Sequence, residues 1–155
     1  MEISDILSPG DVVGALAASS KKQALQELAN LAAGATGLQA REIFNTLLQR
    51  ERLGSTGIGH AIAIPHAKLE GIDRVRGFFA RLAAPIDFES ADEEPVDLLF
   101  LLVAPVGAGA DHLKALSRIT RLLRNPSLTA KLRAAADAES LFAILSESQA
   151  SSNAA

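Results

Sequence analysis

Apolar residues recur along the chain in two spacings, and each spacing implies an element. Ser20-Lys21-Lys22-Gln23 has the spacing of a capping box, and Ala24, Leu25, Leu28, Leu31 and Ala32 then fall on one helical face. Gly34 and Gly37 interrupt the pattern. Ile43, Phe44, Leu47 and Leu48 restore it over Glu42 to Leu53, with Gly54 where a helix C-terminal glycine belongs. Leu113, Leu116, Ile119, Leu122 and Leu123 predict a helix over Asp111 to Leu123 with those side chains inward, ended by Asn125-Pro126. Ser127 to Ala136 and Glu139 to Glu147 predict two shorter helices. The remaining runs suit strands: DVVGALA (Asp11 to Ala17), AIAIP (Ala61 to Pro65) and VRGFFARL (Val75 to Leu82). VDLLFLLV (Val96 to Val103) reads as a central strand buried on both faces.

The predicted order is β-α-α-β-β-β-α-α-α. It implies an α/β fold of one domain, a mixed β-sheet flanked by helices on both faces. The closely spaced middle strands can pair antiparallel, whereas parallel pairs need long crossovers. A length of 155 residues fits one domain. No repeat is visible, so the domain is placed at 1–147 and the small, polar 148–155 is expected to be a flexible tail.

Composition narrows the chemistry. There is no Cys, which removes a disulfide framework, a thiolate zinc site and a thiol nucleophile. The net charge of −3 argues against nucleic acid as a partner, and the lack of Trp and Tyr leaves few stacking platforms. MEISDILSPGD has no basic, apolar leader, and the longest apolar stretch, Leu98 to Val106, is far below the ~20 residues of a membrane span. A cytoplasmic protein that is not membrane-embedded is expected.

The informative segment is RERLGSTGIGHAIAIPHAK, Arg50 to Lys68. Gly54, Gly57 and Gly59 allow a loop to turn its amides toward an anion, and Ser55 and Thr56 add hydroxyl donors. The guanidinium of Arg50 suits phosphate oxygens. Stock phosphate motifs fail: Gly59 is followed by His60 rather than Lys, and Gly107-Ala108-Gly109 has His112 in the third glycine slot. Histidine remains as a nucleophile, since neutral imidazole has a free lone pair once its other nitrogen donates to a fixed acceptor. Pro65 stiffens the backbone before His66. A polar loop-end histidine is the commoner case for such a residue, and Arg50 has the alternative of a solvated helix face. A zinc site would need His60, His66 and His112 with a carboxylate such as Asp111, and no ligand spacing supports it. The acidic run Asp92-Glu93-Glu94 is most simply a hairpin loop.

Read together, ERLGSTGIGHAIAIPHAKLEGI resembles the active-site signature of the type 2 (fructose–mannitol) IIA proteins of the bacterial sugar phosphotransferase system, and best of all their nitrogen-regulatory branch. KKQALQELANLAA, PVDLLFLLVAP and LRAAADAESLF extend the resemblance over most of the chain. The resemblance implies that His66 is the phosphoryl acceptor through Nε2, that Arg50 is the active-site arginine and that His112 is a second histidine beside the acceptor. It further implies that Ser55 and Thr56 line the phosphate site with the amides near Gly57 and Gly59. The implied donor is a phosphorylated HPr-like carrier, no cofactor or metal is needed, and the output is phosphorylation-dependent binding of regulated target proteins. A sugar-transport IIA that passes phosphate to a permease IIB component, and a module that only binds an anion or metabolite, are the alternatives. Position 60 is His where this branch often has Asn, and positions 61 and 67 are Ala where Gly is common. His60 is thus a rival acceptor on the same loop.

Overall fold

The apolar run at Val96–Pro105 is the middle of a sheet, with only Asp97 and Pro105 less than fully buried. The computed structural model describes the backbone of residues 2–154 and the side chains of residues 2–147. In chain order the elements are α1 (Ile3–Ile6), β1 (Leu7–Leu16), α2 (Lys21–Thr36), α3 (Ala40–Arg52), β2 (Gly57–Gly59), β3 (Ile62–Ala63), β4 (His66–Leu69), β5 (Arg76–Ile86), β6 (Val96–Pro105), α4 (Ala110–Leu123), α5 (Pro126–Ala134) and α6 (Ala138–Ala154). The strands lie in the order β1-β5-β6-β3-β2, and β4 also pairs with β6.

The sheet is mixed, as expected. β5 and β6 are antiparallel, while β1 runs parallel to β5 and both β3 and β4 run parallel to β6. Alternation along β6 feeds two cores. Leu98, Phe100 and Leu102 pack with Ile119, Leu128 and Leu141 from α4, α5 and α6. Leu99, Leu101 and Val103 pack with Leu25, Leu28, Ile43 and Leu47 from α2 and α3.

Several boundaries differ from the sequence pattern. α1 and the first residues of β1 precede the predicted strand at 11–17. Of the predicted strand at 61–65 only Ile62–Ala63 (β3) pairs with β6; the pairing stops at Ile64-Pro65 and resumes beyond the predicted strand in β4. Proline has no N–H to give a ladder, so the break falls there. Leu113, expected inward, is 65% exposed. The buried row of α4 is His112, Ala115, Ile119 and Leu123, so a histidine holds the inward slot and turns Leu113 to solvent. The flexible tail expected over 148–155 lies outside the residues whose side chains are described.

One tie has no signature in the sequence. Arg81 on β5 donates through Nε to the Gly14 carbonyl at 2.8 Å and through Nη1 to those of Leu132 and Ala135 at 2.9 and 2.7 Å. It thereby closes the C-terminal end of α5, whose carbonyls lack helical partners, onto β1.

Candidate functional site

The break at Pro65 sets the site. Pro65 passes its carbonyl to the Leu102 amide, and the chain enters β4 at His66. The ring of His66 folds back so that Nδ1 lies 2.9 Å from the Ile64 carbonyl oxygen. A carbonyl only accepts, so Nδ1 carries the proton and Nε2 keeps its lone pair. From the end of α3, Arg50 Nε donates to His66 Nε2 at 3.3 Å, and Arg50 Nη1 donates to the Gly54 carbonyl at 3.0 Å. His112 enters from the first turn of α4, its ring centroid 5.5 Å from that of His66. The three residues singled out for chemistry, Arg50, His66 and His112, thus meet although they lie on three elements. His112 Nδ1 is buried and makes no hydrogen bond.

Both imidazoles titrate below the ordinary 6.5. For His66 burial is the main cause and the Arg50 charge adds to it, against the Ile64 carbonyl and Glu51, which act the other way. For His112 the causes are burial, then the charges of His66 and Lys68. Each ring is therefore neutral at neutral pH. The unfolded chain takes up these protons near pH 6.5 while the fold resists them, so stability is full above that pH and falls as the pH drops through 6.5 toward the folded values. Urea titrations from pH 8 to about pH 5 should show this decline, and His66→Ala/His112→Ala should flatten it.

The two hydroxyls of the loop have structural partners. Ser55 Oγ donates to the Phe88 carbonyl at 2.7 Å and accepts from the Gly57 amide at 3.1 Å. Thr56 is buried, and its hydroxyl donates to Glu51 Oε1. Its amide also reaches both Glu51 oxygens at 3.2 Å. Gly57 must be glycine for steric reasons, because a Cβ there would lie 2.0 Å from Ser90 Oγ. Gly59, at φ 89°, opens the turn into β3.

Glu51 was not legible as a site residue. It lies on the buried row Ile43, Leu47, Glu51 of α3, and its Oε2 pairs with Lys21 Nζ at 2.7 Å. A carboxylate at the fourth-residue spacing of a buried helical row is the signal that could have found it.

His60 is tied elsewhere through its backbone. It is exposed, its amide donates to Asp92 Oδ2 at 3.0 Å, and its carbonyl accepts from Arg133 Nη2 at 3.2 Å. His60 and Ala61 both adopt left-handed backbone, φ 56° and 68°. Such a conformation costs an L-residue with a Cβ about 1–2 kcal/mol. Ala61→Gly should therefore raise the melting temperature by roughly 2–4 °C, after glycine's own entropy cost is subtracted. An unchanged or lower melting temperature would show that the turn carries no strain.

Comparison with known proteins agrees with the geometry. The model of the phosphoenolpyruvate-dependent sugar phosphotransferase system EIIA 2 family matches residues 5–148. A nitrogen regulatory protein of Bradyrhizobium diazoefficiens is 56% identical over 145 residues, covering 94% of this chain and 95% of that protein. A fructose-specific EIIA component of Haloferax volcanii is 35% identical over 130 residues, 83% and 84% of the two chains. The crystal structure of the nitrogen regulatory protein IIA-Ntr from Neisseria meningitidis superposes with a TM-score of 0.87 at 34% identity, covering 92% of this chain and 98% of that one.

Proposed function

Because the chain belongs to the EIIA 2 family of the sugar phosphotransferase system, in its nitrogen-regulatory branch, we propose that it accepts a phosphoryl group on His66 Nε2 from a phosphorylated HPr-like carrier. The observation that carries this reading is the fixed tautomer of His66, with Nδ1 held on the Ile64 carbonyl and Nε2 turned toward a guanidinium. No helix among the described residues is long and apolar enough to cross a membrane. We assign the protein to the cytoplasm on its family's phosphoryl carriers, which it must meet there.

The transfer is an in-line exchange of one P–N bond for another. The lone pair of His66 Nε2 forms the new bond as the donor's P–N bond breaks, and that electron pair returns to the donor nitrogen. No proton leaves His66, because Nδ1–H stays on the Ile64 carbonyl. Arg50, hydrogen-bonded to Nε2 in the resting site and braced by Nη1 on the Gly54 carbonyl, turns Nε and Nη2 the short way onto the incoming oxygens and balances their charge in a loose transition state. His112 donates to the phosphoryl group from the far side. The Ser55 and Thr56 hydroxyls and the Gly57 amide act by holding the loop in shape. Phosphorylation places about −1.5 to −2 charges on this face, and target proteins then bind the two forms differently.

The test is intact mass after incubation with the phosphorylated donor. Wild type should gain one phosphoryl group and His66→Ala none; His60→Ala should behave as wild type. Equal labelling of the His66 variant would remove that residue from the role. Acceptance should also persist to lower pH than a free imidazole allows, since burial lowers the titration of the ring; a rate that already falls on going from pH 8 to pH 7 would contradict the lowered titration.

A further inference from the structure

The acidic excess of the chain does not extend to α4. That helix and its C-cap carry Lys114, Arg118, Arg121 and Arg124 against one carboxylate, Asp111, in a chain of net charge −3. Positions 114, 118 and 121 repeat at helical spacing, so the cations share one face opposite the buried row of His112, Ala115, Ile119 and Leu123. Lys114, Arg121 and Arg124 are exposed and Arg118 is half-buried. None of the four joins the ion pairs formed among the described residues. Like charges three and four residues apart repel along a helix; the helix dipole favours Arg121 and Arg124 at its C-terminal end, but it offers nothing to Lys114 and Arg118.

The stripe starts two residues after His112, at the N-terminal end of α4. A groove of about 430 Å³ runs along it between Leu113, Lys114, Ser117, Arg118 and Arg121. Leu113, next to His112, is 65% exposed, and Leu53, three residues after Arg50, is 84% exposed. The site is therefore flanked by two bare leucines and continued by cations. A protein partner of standard size covers about 800 Å² per side, a disc of about 16 Å radius. The stripe from Lys114 to Arg124 is about 15 Å long, comparable to that radius, so a carrier seated over the start of α4 reaches its first cations. Nucleic acid is the weaker fit, since the chain is acidic overall and has no Trp or Tyr to stack on a base.

We propose that the phosphoryl donor meets this protein through an acidic face that seats on the α4 stripe of Lys114, Arg118 and Arg121, with Leu53 and Leu113 under its apolar centre. This rests on His66 being the acceptor. The charges speed encounter and fix orientation; the chemistry at His66 does not need them.

The experiment is rapid-quench transfer from the phosphorylated HPr-like carrier of the same organism, at several donor concentrations and salt levels. Lys114→Glu/Arg118→Glu/Arg121→Glu should lower the second-order rate roughly tenfold or more at low salt, while the rate at saturating donor stays within about twofold. Wild type should slow as salt rises and the variant should not. Lys114→Arg/Arg118→Lys/Arg121→Lys, which keeps the charge, should transfer as wild type. A folded reversal variant with the wild-type second-order rate and salt slope overturns the proposal alone. A wild type that takes no label overturns the assignment of His66, and the proposal falls with it. If the triple variant does not fold, Arg121→Glu alone, at an exposed position, decides by the same two rates.

Discussion

Replacing Arg50 by alanine lowers the rate of phosphoryl acceptance about 10²–10³-fold, the loss seen when one preorganised donor is removed from an oxyanion site. The magnitude follows from where the guanidinium stands. Nε is 3.3 Å from the nitrogen that takes the phosphoryl group, and Nη1 is held on the Gly54 carbonyl, so the fork reaches the incoming oxygens without a search for its rotamer. Nearly all the catalytic work of such a transfer is positioning and charge neutralisation, and Arg50 supplies both. The fold should survive. Arg50 is half-buried and has no carboxylate partner, and its bond to Gly54 contributes about 1 kcal/mol. Arg50→Lys keeps the charge but loses the fork, so it should recover only part of the rate. Single-turnover transfer and a thermal melt on the same samples check both halves. A large fall in melting temperature with an intact rate would make Arg50 a structural residue instead.

How much of this was visible beforehand depends on the distance over which a residue acts. The sheet centre was legible because Leu98 to Val103 form an unbroken apolar run, and α2 and α3 because their apolar rows are long and capped. β2, β3 and β4 have 3, 2 and 4 residues, too few for a period to register; β3 and β4 exist because β6 offers them an edge, and β2 because β3 does. The inward slot of α4 was misread because the pattern counts leucines, while His112 holds that slot through its meeting with His66. The hydroxyls of Ser55 and Thr56 were recognised as donors, but their acceptors were not, since Phe88 is 33 residues away in sequence and Glu51 looked like one charge among several. The contact between Arg50 and His66 spans 16 residues and two elements. No local period carries such a pair; the likeness of the whole Arg50–Lys68 segment to a known signature did.

Glu51→Ala should destabilise the protein by about 3–5 kcal/mol, the usual cost of breaking a buried ion pair on one side. Its carboxylate accepts from the Thr56 amide and hydroxyl and pairs with Lys21, whose ammonium lies 4.9 Å from the centre of the Phe88 ring. Alanine leaves a buried amide and a nearly buried ammonium without this acceptor. For a chain of this length the melting temperature should drop by roughly 6–20 °C. The damage should also reach the chemistry. Thr56 follows the loop that Arg50 braces at Gly54, and its carbonyl accepts from the Ile64 amide, one residue before Pro65 and His66. Once Thr56 is free, the carbonyl that fixes the His66 tautomer loses its own support. Lys21→Met tests the other side of the pair, and the double variant with Glu51→Ala closes a cycle. If the pair acts as one unit, the double variant is less damaged than the two single losses added together, because no unpaired buried charge remains. Additive losses, or a Glu51→Ala loss below about 1 kcal/mol, would mean that solvent already reaches this carboxylate, and the loop would then owe its shape to Gly57 and Ser55 alone.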